Sequence, residues 1–117
     1  MEKIITTLFI IVAFSAAAFS QTQAEMTMQF SEEYKKADKE LNQVYGQLVK
    51  KLDPQEKQAL VATEKAWIAY RDLQCKLGCM SYGTGSMYSM QYSACMTSMT
   101  KKRTSELKEV IKEREEN

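Results

Sequence analysis

Apolar residues along this chain recur with the period of a helix. Between Glu25 and Leu52, the residues Phe30, Tyr34, Ala37, Leu41, Val44, Leu48 and Leu52 step by four, three, four, three, four and four, with no proline between them. That spacing predicts one helical face sustained for about six turns. The pattern ends at Asp53-Pro54-Gln55-Glu56. Here Asp53 can cap a new helix, Pro54 suits its first position and Glu56 can reach back as in a capping box. A second helix is predicted from Pro54 to about Met80. Leu60, Thr63, Trp67, Tyr70, Gln74 and Leu77 form one stripe on it, with Ala59, Ala62, Ala66 and Leu73 alongside. Gly83, Thr84, Gly85 and Ser86 break the period, and Ser86 is placed to cap a third helix running to roughly Arg114. Tyr88, Tyr92, Cys95, Met99, Leu107 and Val110 mark its expected inner face. The run from Lys101 to Asn117 mixes both charge signs and reads as a solvated face that frays at its end.

Short turns between long helices make neighbours antiparallel, so the predicted fold is all-α, an up-down-up three-helix bundle. Hairpin geometry then bears on the three cysteines. With the second turn centred on Gly85, Cys75 and Cys95 each lie ten residues away, about 15 Å up their helices. Cys79 is one turn nearer the loop, and a Cys75–Cys79 bridge would have to span consecutive turns of one helix. Cα atoms more than about 7 Å apart cannot be bridged without backbone movement, so Cys75–Cys95 is preferred over either pairing with Cys79. The result is one inter-helix disulfide and one thiol left over.

The first twenty residues change the setting. Lys3 precedes an apolar run from Ile4 to Phe19 that ends in small residues, the order of a secretory signal. Residues 1–20 are therefore expected to be removed, with the cut after Ser20 or, second, after Ala24, leaving residues 21–117 as one helical domain. The run falls short of the roughly 20 apolar residues that cross a bilayer, so no membrane span is expected after processing. Export favours disulfides over metal for the cysteines. Loss of Glu2 and Lys3 from 15 acidic and 16 basic residues leaves the net charge at +1. That balance provides no electrostatic case for nucleic acid or an anionic membrane.

Candidate chemistry is sparse. The chain has no histidine, no Gly-x-Ser-x-Gly elbow and no glycine-rich phosphate loop, so no catalytic residue and no cofactor is assigned. Facing positions bring Asp38, Asn42, Arg71, Asp72, Thr100 and Arg103 into one band, read as a structural network in which Asp38 pairs with Arg71 or Arg103 and an arginine stacks on Trp67. Met87, Met90, Met96 and Met99 near Cys79 admit a soft-ligand copper site as a third choice, core packing being the commoner use of methionine. No metal ligand is assigned. Tyr82, Thr84, Ser86 and Tyr88 surround two glycines at the second turn, aromatics and hydroxyls on a loop that a disulfide would steady, and form the candidate partner-binding loop.

The runs Ala37-Asp38-Lys39-Glu40-Leu41-Asn42-Gln43-Val44-Tyr45 and Trp67-Ile68-Ala69-Tyr70-Arg71-Asp72-Leu73-Gln74-Cys75 carry a resemblance, joined by Gly85-Ser86, Cys95 and Thr100-Lys101-Lys102-Arg103 through Leu107. Together they resemble the LprI-like lysozyme-inhibitor N-terminal domain, from about Met26 to Val110. The resemblance implies a bacterial, exported, helical domain in which Cys75 and Cys95 match the family's cysteine pair. Many members carry a further cysteine pair near the start; Gln29 stands in that region here, and Cys79 is extra. The implied function is a periplasmic or secreted binding protein that blocks a lysozyme or other muramidase. The competing class is a structural or stress-related envelope protein without such a target.

Overall fold

The structure, a computed structural model, describes the backbone of residues 2–117 and the side chains of residues 22–117. The chain forms α1 (Glu2–Val49), α2 (Pro54–Cys79), a 3-10 turn (Met80–Tyr82) and α3 (Ser86–Glu116). The bundle is all-helical and runs up-down-up, with Cys75 and Cys95 joined across α2 and α3 at a Cα separation of 5.6 Å. The expected leader, residues 1–20, lies outside the described side chains. Among the described residues no helix is long and apolar enough to cross a membrane.

Two turns set the register. Asp53 caps α2 by accepting from the Glu56 amide at 2.8 Å, and the Glu56 carboxylate accepts from the Asp53 amide at 3.0 Å. This reciprocal box closes the first turn. At the second, Gly83 (φ 70°) and Gly85 (φ 145°) take conformations that side chains resist. Gly85, not Ser86, is the residue before α3, and it has no side chain with which to cap. Ser86 is instead the first helical residue, so the expected serine cap does not form.

The core lies between α1 and α3, which run parallel. Leu41, Val44 and Leu48 of α1 cluster with Leu107 of α3, and Tyr45, Leu52, Leu60, Trp67 and Ile111 close around them. The face expected for α1 is the one that is buried. For α3, the expected stripe of Tyr88, Tyr92, Cys95 and Met99 is only partly covered and includes the disulfide to α2, while Val110 is exposed. The more deeply buried side carries Thr97, Thr100 and Thr104. Two of these hydroxyls bond to their own helix, Thr97 to the Ser93 carbonyl at 2.9 Å and Thr104 to the Thr100 carbonyl at 3.0 Å. With the hydroxyl satisfied internally, each can be buried without a polar partner on the neighbouring helix.

α2 departs most from expectation. Tyr70, Leu73 and Leu77 are 58%, 66% and 65% exposed, and the buried residues are Glu64, Arg71, Cys75 and Cys79. The helix is turned roughly a quarter of a revolution from its predicted phase. Its inner face is occupied by an ion pair, a guanidinium stack and a disulfide, and these fix the rotation more strongly than aliphatic contact could. The charged end of α3 does not stand free either. Lys108 bonds to Glu40 at 2.9 Å, Arg114 to Glu56 at 2.8 Å and Lys51 to Glu115 at 3.0 Å, so the expected frayed run is laced to both other helices.

Candidate functional site

Arg71 sits at the centre of the polar band and is almost fully buried. Its Nε donates to Asp72 Oδ1 at 2.9 Å, one terminal nitrogen reaches Thr100 Oγ1 at 3.4 Å, and Asp38 stands 4.0 Å away. Asn42 donates to Asp38 at 3.5 Å from the exposed rim. The guanidinium carbon lies 5.1 Å from the Trp67 ring centroid and 5.6 Å from that of Tyr34. Arg103 covers Trp67 at 5.8 Å. The four side chains thus alternate in contact as Tyr34, Arg71, Trp67 and Arg103, each cation against an aromatic face.

Five of the six sequence-derived network residues converge around Arg71. Arg103 joins through Trp67 but turns its donors elsewhere. Its Nε and a terminal nitrogen both donate to Glu64 Oε2 at 3.0 Å, and the other terminal nitrogen donates to Glu106 at 3.1 Å. Glu64 and Tyr34 are the members that sequence reasoning missed. Glu64 lies seven residues before Arg71 and three before Trp67, which puts it on the same helical face; that spacing was the available signal. Among the described residues no buried side-chain nitrogen or oxygen lacks a partner. Burial raises the pKa of Tyr34 against the opposing pull of Arg71, and burial with the Asp72 charge raises that of Tyr92. Both tyrosines stay protonated and neutral at pH 7. Beside the network, α1 and α2 diverge around a groove of about 290 Å³, with Leu41, Tyr45, Val61 and Ile68 along it and Asp38 and Arg71 at its polar end.

The tip of the bundle holds the loop residues. Tyr82 closes the 3-10 turn at 45% exposure, Thr84 and Ser86 are exposed, and Met87 is 49% exposed beside them. Tyr88 is already in α3, partly buried and stacked on Tyr92 at 5.8 Å between centroids. The sulfur-bearing residues do not share one environment. Met80 and Met87 are exposed, Met90 and Met96 are buried, and the Met99 sulfur packs 3.7 Å from that of Cys75. Cys79 is a free thiol, but a buried one. Its alkylation therefore requires the chain to open.

The model of the family described as "Lysozyme inhibitor LprI" matches residues 15–107. The chain belongs to this LprI family. An uncharacterized protein of Rhizobium meliloti (strain 1021), R02472, is 34% identical over 107 residues, spanning 80% of this chain and 77% of its own length. The crystal structure of a DUF1311 family protein from Pseudomonas putida KT2440 superposes with a TM-score of 0.65 at 21% identity, covering 71% of this chain and 87% of that one. That likeness shows the fold. The matched span takes in Asp38, Trp67, Arg71 and Arg103 as well as the disulfide and the tip.

Proposed function

We propose that this chain acts in the periplasm or outside the cell as a binding protein that blocks a peptidoglycan muramidase by surface contact, with the tip from Tyr82 to Tyr88 as the contact. The observation that carries this reading is the tip itself. Tyr82, Thr84, Ser86 and Met87 are exposed on a short turn whose two flanking helices are joined by Cys75–Cys95. Exposed aromatic and hydroxyl groups on a steadied loop form a contact site at low ordering cost. The tip is narrow enough to enter a cleft holding two carboxylates, where its hydroxyls and backbone amides can donate. Export rests on the leader pattern in residues 1–20 and on the disulfide. Binding, not catalysis, is the proposed mode, since the buried polar band has every group committed to another protein group.

One observation favours the envelope-protein reading. The net charge of +1 offers no broad acidic surface to capture a cationic lysozyme. A turbidity assay with c-type, g-type and i-type lysozymes on peptidoglycan separates the two. Slowed lysis by at least one type supports the proposal; unchanged lysis by all three at micromolar protein leaves the envelope reading ahead. The loop is tested by Tyr82→Ala with Thr84→Ala, which spares the Tyr88–Tyr92 stack. Full inhibition by that folded variant would remove the tip as the contact surface.

A further inference from the structure

The outward face of α2 is unlike the rest of the surface. In a chain with 26% charged residues, the arc of α2 opposite Glu64, Arg71 and Cys75 carries no charge from Gln55 to Met80. Tyr70, Leu73, Leu77 and Met80 are 58%, 66%, 65% and 68% exposed along it. The four alanines of the arc, also exposed, all lie N-terminal to these four. At 100° per residue the eight positions fall within an arc of about 100°, the width of a helix-packing stripe. A contiguous apolar patch of this kind marks an interaction surface.

The order of small and large residues identifies the occupant. Small residues fill the first half of the stripe and large ones the second. A second copy of the helix laid antiparallel sets Ala59 level with Met80, Ala62 with Leu77 and Ala66 with Leu73. These three large side chains then meet small ones, while the two-fold axis passes between residues 69 and 70 and brings the two copies of Ala69 together on one side and those of Tyr70 on the other. A parallel pair would instead set alanine on alanine and leucine on leucine, leaving voids at one end and crowding the other. Self-complementarity about a two-fold axis is the defining property of an isologous interface. The four large side chains expose roughly 500 Å² and the alanines bring the total to roughly 700 Å², the most this stripe can bury, against the ~800 Å² per partner of a standard interface. Nothing charged has to be desolvated to form it.

We infer that the protein forms an antiparallel homodimer through the outward face of α2, in a register centred between Ala69 and Tyr70. This surface ends at Met80, two residues before the tip begins at Tyr82, and its centre at Ala69 and Tyr70 lies well along α2 from it, so dimerisation and muramidase inhibition can fail independently.

The test is sedimentation equilibrium of the exported protein, purified from an oxidising compartment, from about 1 µM to about 200 µM, with a dissociation constant on the order of micromolar expected. Leu73→Glu should weaken association by at least about tenfold while leaving helicity, and melting below the dissociation constant, unchanged, because Leu73 faces solvent in the single chain. Cysteine cross-linking in a Cys79→Ser background fixes the register. Ala69→Cys should self-cross-link readily, since the two copies of residue 69 meet at the axis; Ala59→Cys should not, its two copies being about 30 Å apart. A chain monomeric at the highest concentration overturns the dimer. Equal cross-linking at both positions overturns the antiparallel register.

Discussion

α3 holds its two neighbours by different means. Toward α1 it presents Leu107 and buried threonines, and the seam closes on Ala37, Leu41, Val44 and Leu48 mainly by close packing, with the exposed Lys108–Glu40 pair at its edge. Toward α2 it uses discrete links: the Cys75–Cys95 disulfide, Arg103 on Glu64, Thr100 with Arg71, and Arg114 on Glu56. The first seam is non-directional, and its strength grows with buried area. The second is a ladder of specific contacts that sets the rotation of α2 and leaves that helix's aliphatic residues free to face outward.

Truncation should therefore cost most in the packed seam. Leu48 is fully buried, and Leu48→Ala should lower unfolding free energy by about 3 to 5 kcal/mol through lost transfer energy and a residual cavity. Urea denaturation reads this directly. A loss under about 1 kcal/mol would mean the seam collapses around the gap and is less tightly packed than it looks.

Next in size is the covalent rung. The bridge closes a loop of 20 residues, for which chain entropy predicts about 3 kcal/mol. Cys95→Ser should show that loss, and Cys79→Ser less, because Cys79 closes no loop. Non-reducing peptide mapping, with alkylation under denaturing conditions, should recover Cys75 with Cys95 and a labelled Cys79. Equal losses for the two serine variants would move the weight from the link to packing around the sulfurs.

Smaller effects separate the ionic rungs. Glu64 and Arg103 are 3.0 Å apart with side chains only 11% and 13% exposed, so a double-mutant cycle should give a coupling of about 1 to 3 kcal/mol. Asp38 is 43% exposed and 4.0 Å from Arg71, and the same measurement there should give less than about 1 kcal/mol. Reversed magnitudes would place the working partner of the stack at the α1 groove.

The smallest effect is a pH dependence. Hydrogen bonds from Arg114, then from the Asp53 amide, hold the Glu56 carboxyl below its ordinary value of 4.5, and Lys108 lowers Glu40 in the same way. A carboxyl with a lowered folded pKa stabilises the fold above its unfolded value, and that contribution fades as pH falls through the folded value. Stability should thus decline slightly below about pH 4.5, and Arg114→Ala should flatten the decline. An unchanged slope would mean that the clamp is open in solution.

Helix number, turn positions and the register between α2 and α3 were legible in the chain. Proline, aspartate and glycine mark the turns, and equal distances from Gly85 pair Cys75 with Cys95 and level Trp67 with Arg103. The face of α1 was legible because its partner seam is aliphatic. The phase of α2 was not, because hydropathy directs Leu73 and Leu77 inward and Arg71 outward, and only the combined stack of Tyr34, Arg71, Trp67 and Arg103 reverses that preference. Thr97 and Thr104 were missed on α3 because a threonine bonded to its own helix needs no polar partner on its neighbour, whereas Thr100 was legible through its level against Arg71. The tip was legible as a turn, and the four-residue spacing that sets Tyr88 and Tyr92 on one face of α3 also pointed to the stack that draws Tyr88 back from the loop.

Arg114 on Glu56 and Lys51 on Glu115 bring the end of the chain beside the turn between α1 and α2. α3 begins at the tip and ends there, some 45 Å away at 1.5 Å per residue. A surface or a label attached through Asn117 would hold the molecule by the pole opposite Tyr82. Captured this way, each single chain on a sensor chip would point its tip into the flow.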